Sequence, residues 1–210
     1  MISITDKNIL VLAPHTDDGE FGCGGLIDKL VKSGNRLTYV ALSACEASTP
    51  EGFPPGTLRN EVKQATARLN IADLRILDFE VRYFSYKRQE ILEELVKISR
   101  ELRPSLVLTP ASSDFHQDHQ VVHNETIRAF KQANILGYEL PWNNILMPTT
   151  CFAPLDEEHL DAKTAAILEY KSQFFRPYYS AEFIRSLAIT RGTQIGARYA
   201  EAYEVIRWII

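Results

Sequence analysis

Ile9-Leu10-Val11-Leu12-Ala13-Pro14-His15-Thr16-Asp17-Asp18-Gly19-Glu20-Phe21-Gly22-Cys23-Gly24-Gly25 is the stretch that decides the fold. Its first five residues form a continuous apolar run closed by a proline. That pattern predicts a short strand buried on both faces, as in a parallel sheet. After the glycine-rich turn, Leu26, Ile27, Leu30 and Val31 recur at helical spacing, and Gly34 supplies the stop. The opening unit is therefore strand, polar loop, helix.

The same alternation continues downstream. Residues 37–42 read as a second strand, 58–69 as a helix and 74–77 as a third strand. Ile91, Leu92, Leu95, Val96 and Ile98 mark a third helix, and 105–109 a fourth strand stopped by Pro110. Strands alternating with helices give an α/β fold. Right-handed crossovers predict a Rossmann-like, doubly wound, mainly parallel sheet of order 3-2-1-4-5 with helices on both faces. In that order strands one and four are neighbours where the winding reverses, and ligands bind beyond their carboxyl ends. Further on, 121–132 and 157–170 read as helices. Pro141, Trp142 and Pro148 punctuate an irregular stretch, and the tail 203–210 reads as a late edge strand.

Composition narrows the class. The 210 residues suit one domain, 1–210, at about 150 residues per domain. Hydrophobic residues make up 45% and charged residues 24%, which excludes a disordered chain. The net charge of −4 argues against nucleic acid as a partner. The apolar runs are too short for a membrane span. The first residues lack a basic segment followed by a long apolar run, so no leader is expected. Three cysteines, Cys23, Cys45 and Cys151, form no paired framework, which points to a reducing, cytoplasmic setting. A homo-oligomer stays open.

Two histidine-carboxylate clusters carry the chemistry. Pro14-His15-Thr16-Asp17-Asp18 follows strand one, and Asp114-Phe115-His116-Gln117-Asp118-His119 follows strand four. Three of the five histidines lie in these loops, which the strand order brings together. Imidazole and carboxylate suit Zn2+, although such a set accepts other divalent ions. The adjacent carboxylates of Asp17 and Asp18 repel unless a cation or proton relieves them. Other residues have plainer readings: Glu20 as a first-turn carboxylate facing the helix dipole, and Cys23 as a small buried residue. His123 reads as a packing or helix-surface residue, and His159 as a solvated helix start. Arg59, Arg82 and Arg88 are candidates to face the cleft.

These motifs resemble the LmbE-like (PIG-L) family of zinc-dependent de-N-acetylases. Pro14-His15-Thr16-Asp17-Asp18, Gly22-Cys23-Gly24-Gly25 and His116-Gln117-Asp118-His119 are similar to its motifs, in the family's order. Further matches are Arg59 with Glu61, Tyr170-Lys171-Ser172-Gln173, and Arg191-Gly192 leading to 199–204. The resemblance implies His15, Asp18 and His119 as metal ligands and Asp17 as general base. It implies that His116 stabilises the oxyanion or protonates the amine, that Asp118 orients a histidine, and that Arg59 contacts substrate. Two departures stand out: Thr16 replaces the family's proline, and Gly19 replaces the glutamate after the aspartate pair. Some relatives carry a tyrosine where Asp114 stands, so no oxyanion tyrosine is assigned.

The implied reaction is hydrolysis of an N-acetyl group from an amino sugar or sugar conjugate, a small-molecule N-acetylated sugar such as an N-acetylglucosaminyl derivative. Two other readings use the acidic pair without that chemistry. One is a phosphoreceiver-like module, which explains no histidine cluster and lacks a lone aspartate directly after strand three, Asp78 being nearest. The other is a non-catalytic sugar-binding relative, which predicts a damaged set of site residues.

Overall fold

A computed structural model describes residues 5–210. The leaderless reading of the amino terminus falls partly on residues 1–4, outside the described residues. The elements run β1 (Asn8–Ala13), α1 (Asp18–Lys32), β2 (Arg36–Ala41), α2 (Thr57–Arg68), β3 (Asp73–Ile76), α3 (Arg88–Leu102) and β4 (Leu106–Pro110). They continue with α4 (Gln117–Ala129), β5 (Asn134–Tyr138), β6 (Cys151–Leu155), α5 (Glu157–Ile167), α6 (Ala181–Thr193) and β7 (Tyr199–Arg207).

Among the described residues the sheet has seven strands in the order β3-β2-β1-β4-β5-β7-β6. The first five are parallel, as expected from the alternation, and β7 pairs antiparallel with both β5 and β6. The period of two along each strand divides the core. Ile9, Val11 and Ala13 of β1 point to the face that packs Phe21, Ile27 and Leu30 of α1. Leu10 and Leu12 point to the opposite face, with Ile91, Leu95 and Ile98 of α3 and Val122 of α4. Each fully buried aliphatic side chain contributes roughly 1.5–3 kcal/mol, which is why a two-faced apolar run settles at the centre of the sheet.

The carboxyl-terminal elements differ from their sequence reading. The tail is not an edge strand: β7 runs inside the sheet, and β6 takes the edge. Its inner residues Tyr199, Ala200, Ala202 and Tyr203 are buried. Pro154 interrupts the donors of β6, and its carbonyl accepts a hydrogen bond from Lys29 Nζ at 2.6 Å. His159 is not a solvated helix start. It is buried, with Nδ1 2.7 Å from Asp28 Oδ2, because α5 packs on α1.

Register places the site. Ile9 pairs with Leu106 and Val11 with Leu108, so β1 and β4 end side by side. The loops that leave them emerge at the same crevice. Helix α1 starts at Asp18, well before its apolar stripe. This early turn is possible because Gly22 lies against the Tyr138 ring, where a Cβ would come within 2.2 Å of Cδ2. Tyr138 in turn donates to the Leu12 carbonyl at 3.0 Å, fastening β5 to β1.

Candidate active site

The first loop is held by its own backbone and by two tyrosines. The His15 N–H donates to Asp18 Oδ2 at 2.8 Å. The Thr16 carbonyl accepts from Tyr39 and Tyr170 hydroxyls at 3.0 and 2.7 Å. Those hydroxyls also contact Glu20, which is fully buried in the first turn of α1. The two hydroxyl protons cannot serve all four contacts with Thr16 and Glu20, and a neutral Glu20 supplies one proton more. Burial pushes its carboxyl up to about 8, consistent with that count.

The second loop turns on Asp114, whose Oδ1 accepts the His116 N–H at 2.9 Å. His116 caps α4, its Nδ1 accepting the Asp118 N–H at 3.2 Å. An acceptor Nδ1 requires that the ring proton sit on Nε2. His119 lies in the first turn of the same helix and reaches back toward β1.

Three donor atoms from the two loops converge. His119 Nε2 is 3.1 Å from His15 Nδ1, and each lies 3.2 Å from Asp18 Oδ2. A tetrahedral zinc at about 2.0–2.1 Å from its ligands needs neighbouring ligand atoms about 3.3–3.4 Å apart. The triangle is within a few tenths of an ångström of that edge, so these residues fit a divalent ion. The three imidazoles of His15, His116 and His119 also fall within 4.8 Å by ligand atom. The His116 Nδ1, however, is spent on the helix cap. The His15, Asp18 and His119 set is the tighter of the two.

The outer nitrogens of both converging imidazoles are oriented by carboxylates. His15 Nε2 lies 3.0 Å from Asp118 Oδ2, and His119 Nδ1 lies 2.8 Å from Asp114 Oδ2. Such partners fix ring orientation and raise the basicity of a ligand. Asp118 also accepts the Arg82 N–H at 2.6 Å and the Phe84 N–H at 3.4 Å. The electrostatics follow this geometry. Burial opposes charge on His119, but Asp18 and Asp114 outweigh it and push the imidazole up to about 10. His15 is raised in the same way, against burial, by Asp18 and Asp118. Asp18 is held well below the carboxylate range because the two imidazoles overcome its burial.

Asp17 stands apart from the triangle. Burial, then the adjacent Asp18, push its carboxyl up to about 6, with His15 and Arg176 opposing. The Tyr179 hydroxyl donates to it. For His116, burial and the neighbouring His119 and His15 pull the ring down to about 4. His15, Asp17, Asp18, His116 and His119 line one cleft of about 180 Å³, open to solvent, together with Arg82, Trp142, Arg176 and Tyr178.

The structure thus brings together His15, Asp17, Asp18, His116, Asp118 and His119 from the sequence reading. Arg59 stays one step back: its neighbour Leu58 lines the cleft, whereas Arg59 pairs with Asp78 at 2.5 Å. Arg88 pairs with buried Glu125, away from the cleft. Cys23 and His123 are buried packing residues, Cys23 Sγ donating to the Gly19 carbonyl and His123 Nδ1 lying 2.9 Å from the Pro110 oxygen. Asp114 as a histidine partner and Tyr179 as a partner of Asp17 were not foreseen. Asp114 could have been found from its place inside the second cluster, whereas Tyr179 carries no local signal.

A doubly wound sheet with this cluster at its winding reversal defines the LmbE-like class of enzymes. The GlcNAc-PI de-N-acetylase (PIG-L) family matches residues 10–130, more than half the chain, and the chain belongs to that family. It is an N-deacetylase by class, a hydrolase of amide C–N bonds. It is similar to the diacetylchitobiose deacetylase of Thermococcus kodakarensis, 26% identical over 95% of this chain and 83% of that protein. Among solved structures it resembles the conserved protein TT1542 of Thermus thermophilus, with a TM-score of 0.82 and 24% identity over 99% and 97% of the two chains. It also resembles the 4-carboxy-2-hydroxymuconate hydratase of Pseudomonas putida, with a TM-score of 0.79 and 19% identity over 97% and 98%. The last likeness is one of fold, which by itself does not specify a reaction.

Proposed function

We propose that the protein hydrolyses the N-acetyl group of an N-acetylated amino sugar or sugar conjugate, using a divalent metal for which zinc is best suited. The observation that carries this reading is the triangle of His15 Nδ1, Asp18 Oδ2 and His119 Nε2, with edges of 3.1–3.2 Å beside the unligated carboxylate of Asp17. The family's described activity and the chitobiose substrate named for the Thermococcus relative support the substrate class.

His15, Asp18 and His119 would hold the metal. Bound there, it would acidify an attacking water and polarise the acetyl carbonyl. Asp17 takes the proton from the water as oxygen attacks the carbonyl carbon, its raised affinity for protons suiting a general base near neutral pH. Tyr179 orients the Asp17 carboxylate. His116 donates from Nε2 to the oxygen on which negative charge develops. It does so as a neutral ring, because an imidazolium could not accept the Asp118 N–H; a protonated His116 does not match the helix cap. Asp17 then passes its proton to the nitrogen as the C–N bond breaks, giving acetate and the free amine. Asp118 and Asp114 keep the two ligand rings in register.

No helix among the described residues is long and apolar enough to cross a membrane. The free thiols of Cys23, Cys45 and Cys151 support a cytoplasmic location within this reading. The test is direct measurement of acetate released from a panel of N-acetylated sugars, with zinc supplied and then chelated. Metal-dependent acetate release is expected. Zinc-loaded protein that yields no acetate from any sugar in the panel would remove the reading, and a hydration activity would then be sought.

A further inference from the structure

We infer that the protein pairs with a second copy of itself through an apolar groove on the α1 face of the sheet, each copy seating residues 205–210 of the other. The groove has a volume of about 630 Å³. Leu26 and Leu30 of α1 form one wall, and Leu106 of β4, Leu136 of β5 and Tyr203 of β7 line its base. Leu106 opens β4, whereas the loop bearing His116 and His119 leaves the other end of that strand after Pro110. The groove and the cleft therefore lie toward opposite ends of the sheet.

What the groove offers defines its occupant. Sites for small molecules join apolar walls to a few placed polar groups. Here the polar side chains are already engaged. Lys29 Nζ donates to the Pro154 carbonyl at 2.6 Å, and Ser33 Oγ to the Lys29 carbonyl at 2.8 Å. Thr150 Oγ1 accepts the Val205 N–H at 3.0 Å, and the Tyr203 hydroxyl donates to Glu201 at 2.8 Å. Among the described residues that line the groove, Lys29 is the one with a charge. The matching partner is an apolar surface, because a polar one would lose its water without return.

The same chain presents such a surface at the groove's border. Val205 and Trp208 line the groove and are exposed, and Ile209 and Ile210 beyond them are exposed too. This segment is held in place. The Arg207 guanidinium donates to the Phe130 and Ile127 carbonyls at 2.7 and 3.2 Å, and the Ile209 N–H to Asn134 Oδ1 at 2.6 Å. Groove and segment sit side by side. A two-fold axis between them lays each segment over the other copy's groove, a self-complementary contact that closes at two copies. With one charge on each face, the approach of like to like meets little repulsion. The exposed apolar patch comes to several hundred Å² per copy, more than scattered surface residues leave. Two such patches face to face reach about 1,200 Å², where specific interfaces begin.

Sedimentation velocity of the full chain across a range of concentrations is the test. A species of twice the chain's 23.9 kDa is expected to grow with concentration. Trp208→Asp, with Ile210→Asp as a second variant, should raise its dissociation constant by about thirtyfold or more, the scale of a lost interface anchor. Both substitutions fall on exposed side chains and should leave the circular dichroism of the fold unchanged. Cys151 supplies a reading on the unaltered protein, being a free thiol that lines the groove. Its alkylation should slow several-fold as the pair forms, with the buried Cys23 and Cys45 as internal controls. A single-chain mass at every concentration overturns the inference. So does a pair that forms equally well in both variants, or a Cys151 labelling rate that stays constant while the pair forms.

Discussion

Asp17 and Asp18 are chemically alike and adjacent, yet the fold gives them opposite duties. Asp18 faces two imidazoles and stays ionised, whereas Asp17, half-buried beside a like charge, is drawn up to about 6. Asp17→Asn should therefore retain the metal and lose about 10²–10⁴ in kcat, the usual share of a general base. Bound metal measured alongside turnover checks this, and near-normal turnover would contradict the assignment. The ligand histidines give a second expectation. His119 is driven to about 10 without metal, so it is charged at neutral pH and must shed a proton to coordinate. Zinc affinity should rise about tenfold per pH unit for each proton displaced. Calorimetry in buffers of different ionisation enthalpy counts those protons, and pH-independent binding would refute the expectation. Most of these residues are legible in the sequence because they sit within a few positions of β1 and β4, and the strand order alone makes the two loops neighbours. Tyr179 and Arg176 are not legible as site residues. They arrive from a segment whose path is set by packing across the core, and no local period points them at Asp17 or the cleft.

At the scale of elements, the loops depend on how closely α1 approaches the sheet. Gly22 meets the Tyr138 ring so tightly that an added methyl must displace it. Gly22→Ala should destabilise the protein by roughly 1–3 kcal/mol as overpacking, seen as a Tm lowered by several degrees. An unchanged Tm would mean that α1 can slide without penalty. Strands β1, β2 and β4 were readable because each is a mostly apolar run, the mark of burial on two faces, whereas β3, with Arg75 in it, is half-buried at the sheet edge. The carboxyl-terminal strands were harder. In the tail 203–210 the partial alternation of polar Glu204 and Arg207 with apolar residues resembles an exposed edge, and the first half of β7 escapes that reading. In the structure Glu201 is buried by purpose-built partners: the Gly25 and Leu26 N–H groups, the Lys163 ammonium and the Tyr203 hydroxyl. A charge satisfied by distant groups cannot be told from a solvated one by sequence alone.

Across the whole molecule, buried ionisable groups link elements that the backbone ladder does not. Lys163 of α5 and Glu201 of β7 are both buried and paired at 2.6 Å, and Glu201 also holds α1. Glu201→Ala should cost about 3–5 kcal/mol because it strands a buried ammonium, and Lys163→Met in the same chain should restore part of that loss. Denaturant unfolding of the two single variants and the double variant tests the coupling, and strictly additive losses would exclude it. Glu20 makes stability pH-dependent. Its folded-state carboxyl titrates at about 8, above its ordinary value of 4.5, so the folded form binds the proton more tightly. Its contribution is complete below that ordinary value, is lost as pH rises toward about 8, and is constant beyond. Glu20→Gln should flatten the stability profile across that window, and a slope identical to the parent's would point to other groups. The outermost strand, finally, bears on how the protein meets its own copies. At Pro154 an approaching extended segment finds no N–H to receive and a carbonyl already claimed by the Lys29 ammonium. This margin is thereby blunted against ribbon-like growth from one molecule into the next.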